Sequence, residues 1–212
     1  MAITGLMLIL FVLGHMAGNL QIFLGADTLN AYGAFLKSKP ALLWGARGGL
    51  LLLVAVHIWS AITLSAKNKT ARPVAYRVNR AVGASYASRT MVWSGLIVLA
   101  FIIYHILHFT VGAFDPESLA LKDDQGRHDI FKMVVQGFSH PLVSAFYIFA
   151  MALLCSHLSH GISSLFQSLG FRSSQQKVWA DRLAFVMAWA IFIGNSSIPL
   201  AILLGFGKEA LK

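Results

Sequence analysis

Polar and apolar residues do not alternate along this chain; they segregate into blocks. Five stretches are apolar throughout, at about 2–25, 42–66 (free of charge from 48 onward), 90–114, 140–168 and 183–207. Each is long enough to cross a hydrocarbon core of about 30 Å, which takes about 20 helical residues. The pattern predicts an all-α integral membrane protein with five transmembrane helices in a single membrane domain over 1–212. Residues 26–40 predict a short amphipathic helix, and residues 115–132 a polar, acidic loop. Pro141 suits the start of the fourth span, where a missing N–H costs little. Pro199 is expected to kink the fifth. No internal repeat and no low-complexity segment stands out. The first span lacks a basic leader segment and an A-x-A site, so it is not read as a signal peptide.

Composition agrees: 57% of residues are apolar and 12% charged. The net charge of +9 changes the picture only through its placement. Lys67, Lys69, Arg72, Arg77, Arg80 and Arg89 lie between spans two and three. Arg172, Lys177 and Arg182 lie between spans four and five, with Asp181 the one acid among them. The opposite side carries Lys37, Lys39, Arg47, Lys122, Arg127, Lys132, Lys208 and Lys212, nearly balanced by acids. The positive-inside rule then places the N-terminus in the cytoplasm and the C-terminus outside. The charge is an orientation signal and not a nucleic-acid footprint. Cys155 is the single cysteine; that excludes a disulfide framework, a cysteine zinc site and covalent C-x-x-C-H haem attachment. Neither a P-loop nor a G-x-G-x-x-G after a strand is present, so no nucleotide domain is expected.

The chemistry lies in the histidines. His15 falls in span one, His57 in span two, His105 and His108 in span three, His157 and His160 in span four. His128 and His140 read as solvated surface residues. Ionisable groups at membrane depth are costly and mark functional sites. A helix rises about 1.5 Å per residue, which puts His15 and His105 roughly 20 Å and 22 Å from the inner ends of their spans. His57 and His157 lie at roughly 13 Å and 16 Å on the same scale. The four therefore sort into an outer and an inner pair, each drawn from two helices, as two stacked bis-histidine b haems require. With both axial positions filled by protein, such an iron transfers electrons and does not readily bind oxygen. Gly14, Gly18 and Gly161 are small enough for close approach of a macrocycle or a helix. No carboxylate accompanies the four, so each second ring nitrogen is expected to find a backbone carbonyl. Arg47 and Arg89, at opposite faces, are candidates to pair haem propionates.

Four segments, GHMAGNLQIF, RGGLLLLVAVHIW, SRTMVWSGLIVLAFIIYHILHF and CSHLSHG, resemble the single-subunit diheme cytochrome b anchor of succinate:quinone and quinol:fumarate oxidoreductases. They cover four of five spans in the right order. The resemblance favours His105 over His108 and His157 over His160 as axial ligands, with His15 and His105 on the outer haem and His57 and His157 on the inner. It implies a haem-binding bundle of four helices in a bacterial cytoplasmic (inner) membrane. It also implies a FAD flavoprotein subunit and an iron–sulfur subunit on the cytoplasmic side, and a quinone, menaquinone by preference, as electron acceptor. Candidate quinone residues are Asn30, Tyr32 and Lys37 at the outer level, with an inner site near Ser88 and Trp93 as the second choice. This chain departs from the family pattern in lacking the usual short basic segment before span one. In fumarate-reducing relatives a proton-carrying glutamate stands two residues before the inner histidine of span four. Cys155 stands there instead, which favours the succinate-oxidising direction. Rival readings are the cytochrome b subunit of another quinone-linked dehydrogenase or hydrogenase, and a small transporter with histidine proton relays.

Overall fold

The computed structural model describes residues 1–71, 86–171 and 173–211. Arg72, Arg77, Arg80, Arg172 and Lys212 of the charge census lie outside the described residues. The chain runs through α1 (Ala2–Asn19), α2 (Ala26–Lys37), α3 (Pro40–Thr70), the single turn α4 (Tyr86–Arg89), α5 (Met91–Ile106), α6 (Ile130–Phe138), α7 (Pro141–Ser168) and α8 (Ser174–Leu203). No strand occurs among the described residues; the one extended pairing is an isolated bridge between Lys122 and His128. Five helical stretches are long and apolar enough to cross a membrane: Ala2–Leu24, Pro40–Thr70, Met91–Val111, Pro141–Ser168 and Ser174–Leu203. The all-helical, five-span fold class is as the sequence pattern predicts.

Local chemistry sets the ends. Pro40 and Pro141 occupy first turns, where their missing N–H groups have no helical partner to lose. Ser173 and Gln176 form a reciprocal capping box that starts α8. This helix therefore begins nine residues before the uncharged stretch does, and carries Lys177, Asp181 and Arg182 on its first turns. After α5 the backbone widens into a π turn over Leu107–Val111, closed by Gly112 at φ 68, a conformation that costs glycine little. Gly25, at φ 107, likewise turns the chain from the first span into α2. Pro199 is buried inside a helix that continues past it to Leu203.

Two clusters hold the helices together. Ile9 of α1 meets Leu158 and Ile162 of α7 and Ala184, Ala188 and Ile191 of α8. Ala180, Ala184 and Ala188 recur at four-residue spacing and are almost completely buried, which lets α7 and α8 approach closely along their length. At the far end, Ile22, Leu29, Phe131, Val135, Phe138, Tyr147, Ile198 and Ile202 form a second core. It seats α2 and α6 as a cap over the spans. By contrast α3 has no buried residue, and its principal neighbours are α1 and α2.

Candidate haem-binding site

Two of the span histidines meet directly, and two more lie near one another at the other end of the bundle. His15 of α1 and His105 of α5 stand with ring centroids 5.7 Å apart and planes at 86°. Two imidazoles on opposite faces of one metal, each bonded at about 2 Å, have centres about 6 Å apart. Each ring is backed by an aromatic one turn earlier on its own helix: Phe11 at 5.4 Å and 22°, Phe101 at 5.8 Å and 29°. Towards the other end, His157 of α7 lies within electrostatic reach of His57 of α3.

For His57 and His157 the second ring nitrogen finds a hydroxyl and not the backbone carbonyl expected from sequence. His57 Nδ1 is 3.0 Å from Thr4 Oγ1 of α1, and His157 Nδ1 is 3.1 Å from Ser94 Oγ of α5. Each hydroxyl already donates its hydrogen to the carbonyl three residues back, Thr4 to Met1 at 2.9 Å and Ser94 to Met91 at 3.1 Å. The hydroxyl oxygen is then an acceptor, and the imidazole must be the donor through Nδ1–H. That tautomer leaves a lone pair on Nε2, the state an iron ligand needs. Next to each hydroxyl is a glycine: a Cβ at Gly5 or at Gly95 would stand 3.5 Å from Cε1 of His57 or of His157. The donor set of four neutral imidazoles, two of them with the tautomer fixed, fits b haem.

Thr4 and Ser94 escaped the sequence reading, yet a signal for them exists. Thr4-Gly5-Leu6, Phe11 and His15 recur as Ser94-Gly95-Leu96, Phe101 and His105, each shifted by 90 positions. His57-Ile58, Ala61-Ile62-Thr63 recur as His157-Leu158, Gly161-Ile162-Ser163, shifted by 100. The expectation of no internal repeat is corrected: spans one and two are echoed by spans three and four. The match is carried by a few scattered positions in each helix, so contiguous similarity is low.

The neighbouring histidines have other partners. His108, buried in the π turn, stacks on Phe109 at 4.0 Å and has Nδ1 3.0 Å from Tyr147 Oη. The same Oη is 3.5 Å from His105 Nδ1, so Tyr147 stands between the two. His160 pairs through Nε2 with Ser164 of its own helix at 3.1 Å. Near it, Ser163 donates to Asp181, which also pairs with Lys177. His140 is exposed, as expected. His128 differs from expectation: both ring nitrogens are shielded from solvent without a hydrogen-bond partner. Burial, then the Lys37 charge, hold that imidazole below its usual pKa.

The remaining sequence candidates are dispersed. Asn30 is 1% exposed and fully engaged. Its amide donates to Asp123 at 3.3 Å and Asp129 at 3.0 Å, and its oxygen accepts from the Phe131 backbone at 3.0 Å. It clamps α2 to the loop before α6. Tyr32 lies against α1, where a Cβ at Gly18 would stand 2.9 Å from the Tyr32 ring. Lys37 is exposed overall, but partial desolvation of its ammonium, then the Arg47 and Lys122 charges, lower its pKa. Arg47 stacks over Trp44 at 4.9 Å. Arg89 and Trp93 are exposed, and Ser88 is partly buried. Gly14 and Gly161 face open space.

An all-helical, multi-pass bundle with histidines paired between its spans is the architecture of a membrane cytochrome b. The family model described as succinate dehydrogenase/fumarate reductase transmembrane subunit matches residues 65–194, more than half of the chain. The chain belongs to that family: it is a membrane subunit of an oxidoreductase complex whose anchors bind b haem. The match includes His105 and His157 and stops short of His15 and His57. No curated protein and no solved structure matches the chain.

Proposed function

We propose that this chain is the diheme cytochrome b anchor of a succinate:menaquinone oxidoreductase in a bacterial cytoplasmic membrane. His15 and His105 hold the outer haem, His57 and His157 the inner one. The observation that carries this reading is the pair of hydroxyl contacts, Thr4 to His57 and Ser94 to His157, each fixing a ligand tautomer from a neighbouring helix. Bound b haem supplies one-electron redox chemistry. The residues of the chain set its conditions. The four histidines would hold the haems, Thr4 and Ser94 orient two of the imidazoles, and the surrounding apolar helices exclude water.

The flavoprotein and iron–sulfur subunits dock on the side bearing Lys67, Lys69 and Lys177, which is cytoplasmic on the charge census. On that side the pair His57 and His157 would lie nearest the electron-donating subunit and the pair His15 and His105 nearest the opposite face. Cross-links from Lys67, Lys69 or Lys177 to the iron–sulfur subunit support this side; cross-links from Lys122 or Lys132 alone overturn it. Cys155, where a proton-carrying glutamate would sit, favours succinate oxidation over fumarate reduction. The repeat of spans one and two in spans three and four removes one objection to a transporter. It joins helices of the same direction across the membrane, however, and the family match decides against that reading. A pyridine haemochrome assay of the purified complex is expected to give two b haems per anchor chain. One or none refutes the assignment.

A further inference from the structure

The last turns of α7 and the first turn of α8 meet at the end of the spans opposite the cap. An open cavity of about 370 Å³ is lined there by Ser164, Gln167, Ser168, Phe171 and Lys177. Gly170, at φ 96, reverses the chain after α7. The Phe171 N–H returns to the Phe166 carbonyl at 3.1 Å, and its ring packs edge-on against Phe166 at 5.8 Å, which fixes Phe171 as one wall. The polar groups are sorted by what they can still give or take. Ser168 Oγ donates to the Ser164 carbonyl at 2.9 Å, so towards the cavity it can only accept. Lys177 gives one ammonium proton to Asp181 Oδ2 at 3.2 Å and keeps two more. Asp181 is not part of the lining; among the described residues Lys177 is the one charged group there. The exposed Gln167 amide offers a donor and an acceptor together. Around the mouth Leu169, Phe171 and Val178 are exposed, and Trp179 is 69% exposed.

We infer that this cavity binds the phosphoglycerol headgroup of an anionic membrane lipid. The inference lies outside the haem-binding site and depends neither on the number of haems nor on the electron acceptor. The unspent ammonium protons of Lys177 and the Gln167 amide N–H groups suit phosphate oxygens. The Ser168 hydroxyl oxygen and the Gln167 amide oxygen suit hydroxyl donors, which a glycerol headgroup carries and a choline headgroup lacks. The Lys177 charge also repels a quaternary ammonium. The apolar mouth accommodates the upper part of the acyl chains, and an exposed tryptophan beside it is the side chain expected at headgroup level. Basic residues near a membrane attract anionic lipid without any pocket. Lys67 and Lys69, at the end of α3, have that general attraction but no part in this lining, so they separate a built site from surface charge.

The test uses the intact complex with its soluble subunits in phosphatidylcholine nanodiscs. These are doped with phosphatidylglycerol that carries a photoreactive group next to its glycerol backbone. In the wild-type complex the label should fall within residues 164–179. Removing one hydrogen-bonding partner is expected to weaken retention about three- to tenfold. Lys177→Gln and Gln167→Leu should each lower labelling in that range with haem absorbance unchanged, while Lys67→Gln and Lys69→Gln should leave it as it is. Excess inorganic phosphate should not displace the lipid. Undiminished labelling in both cavity variants overturns the site, and equal losses in the Lys67 and Lys177 variants reduce it to general surface charge. Displacement by inorganic phosphate overturns it in favour of a free anion. Labelling of 164–179 only after the soluble subunits are stripped overturns it as well, because a partner side chain then fills the cavity.

Discussion

Replacing Ser94 by alanine isolates a single atom of the inner pair. The residue is buried, and its oxygen accepts from His157 Nδ1–H while donating to Met91. Alanine favours the helix, so the bundle should assemble and bind both haems. A hydrogen bond from Nδ1–H to an acceptor makes the imidazole more basic and stabilises ferric over ferrous iron. Its loss should therefore raise the midpoint potential. A net hydrogen bond contributes about 0.5–1.5 kcal/mol. For a one-electron couple, with about 59 mV per tenfold change, that is about 20–65 mV. Thr4→Val removes the corresponding acceptor from His57 and should move the same haem in the same direction. The assay is a potentiometric titration of the reduced-haem band in the purified complex. One of two midpoints should rise and the other should stay. If the two variants shift different haems, or either lowers a potential, then Thr4 and Ser94 do not serve one centre and the pairing of His57 with His157 is wrong.

Three further predictions concern the outer half. His105→Ala should lose one haem and His108→Ala should retain both, measured by pyridine haemochrome; the reverse result overturns the choice between these neighbours. Asn30→Ala strands buried polar groups on the cap and should destabilise it by about 1–3 kcal/mol, read as faster amide exchange at Phe131 and Lys132. Asp123 is a case for pH. Burial opposes its ionisation, but hydrogen bonds from Arg127 outweigh that and hold its pKa below the usual value. Its stabilisation of the cap is then complete above the unfolded carboxylate value of about 3.9 and is lost as pH falls through the lower native one. Amide exchange around Arg127 should accelerate in that range and not between pH 5 and 7.

The approach of His15 to His105 is legible in the sequence because helix rise is fixed by covalent geometry. Counting residues from a span end measures depth. What touches Nδ1 is not legible in that way. Thr4 lies 53 residues from His57 and Ser94 lies 63 from His157, and contacts between helices depend on rotation about each axis, which depth does not report. Rotation also sets the partners of His108, which lies in the π turn beside Phe109 and Tyr147. From sequence Asn30 reads as a quinone-site candidate near the outer level. Its role as a clamp depends on Asp123 and Asp129, which only tertiary folding brings to it. The start of α8 was missed because Lys177, Asp181 and Arg182 read as loop, while the Ser173 capping box begins a helix regardless of charge.

The 90-position echo between α1 and α5 gives both helices one ruler. On each, the hydroxyl serving the inner level and the imidazole at the outer level are 11 positions apart, about 16 Å along the axis. The separation of the two levels is therefore set by backbone pitch, twice over, and no side-chain substitution can retune it. Inserting one residue between Gly5 and His15 would swing the outer imidazole by about 100° relative to Thr4. The insertion would misalign one level or the other, whichever half of the helix kept its seat. Under the two-haem reading, substitutions would adjust the potentials residue by residue, but the distance between the two levels would be fixed by the helix itself.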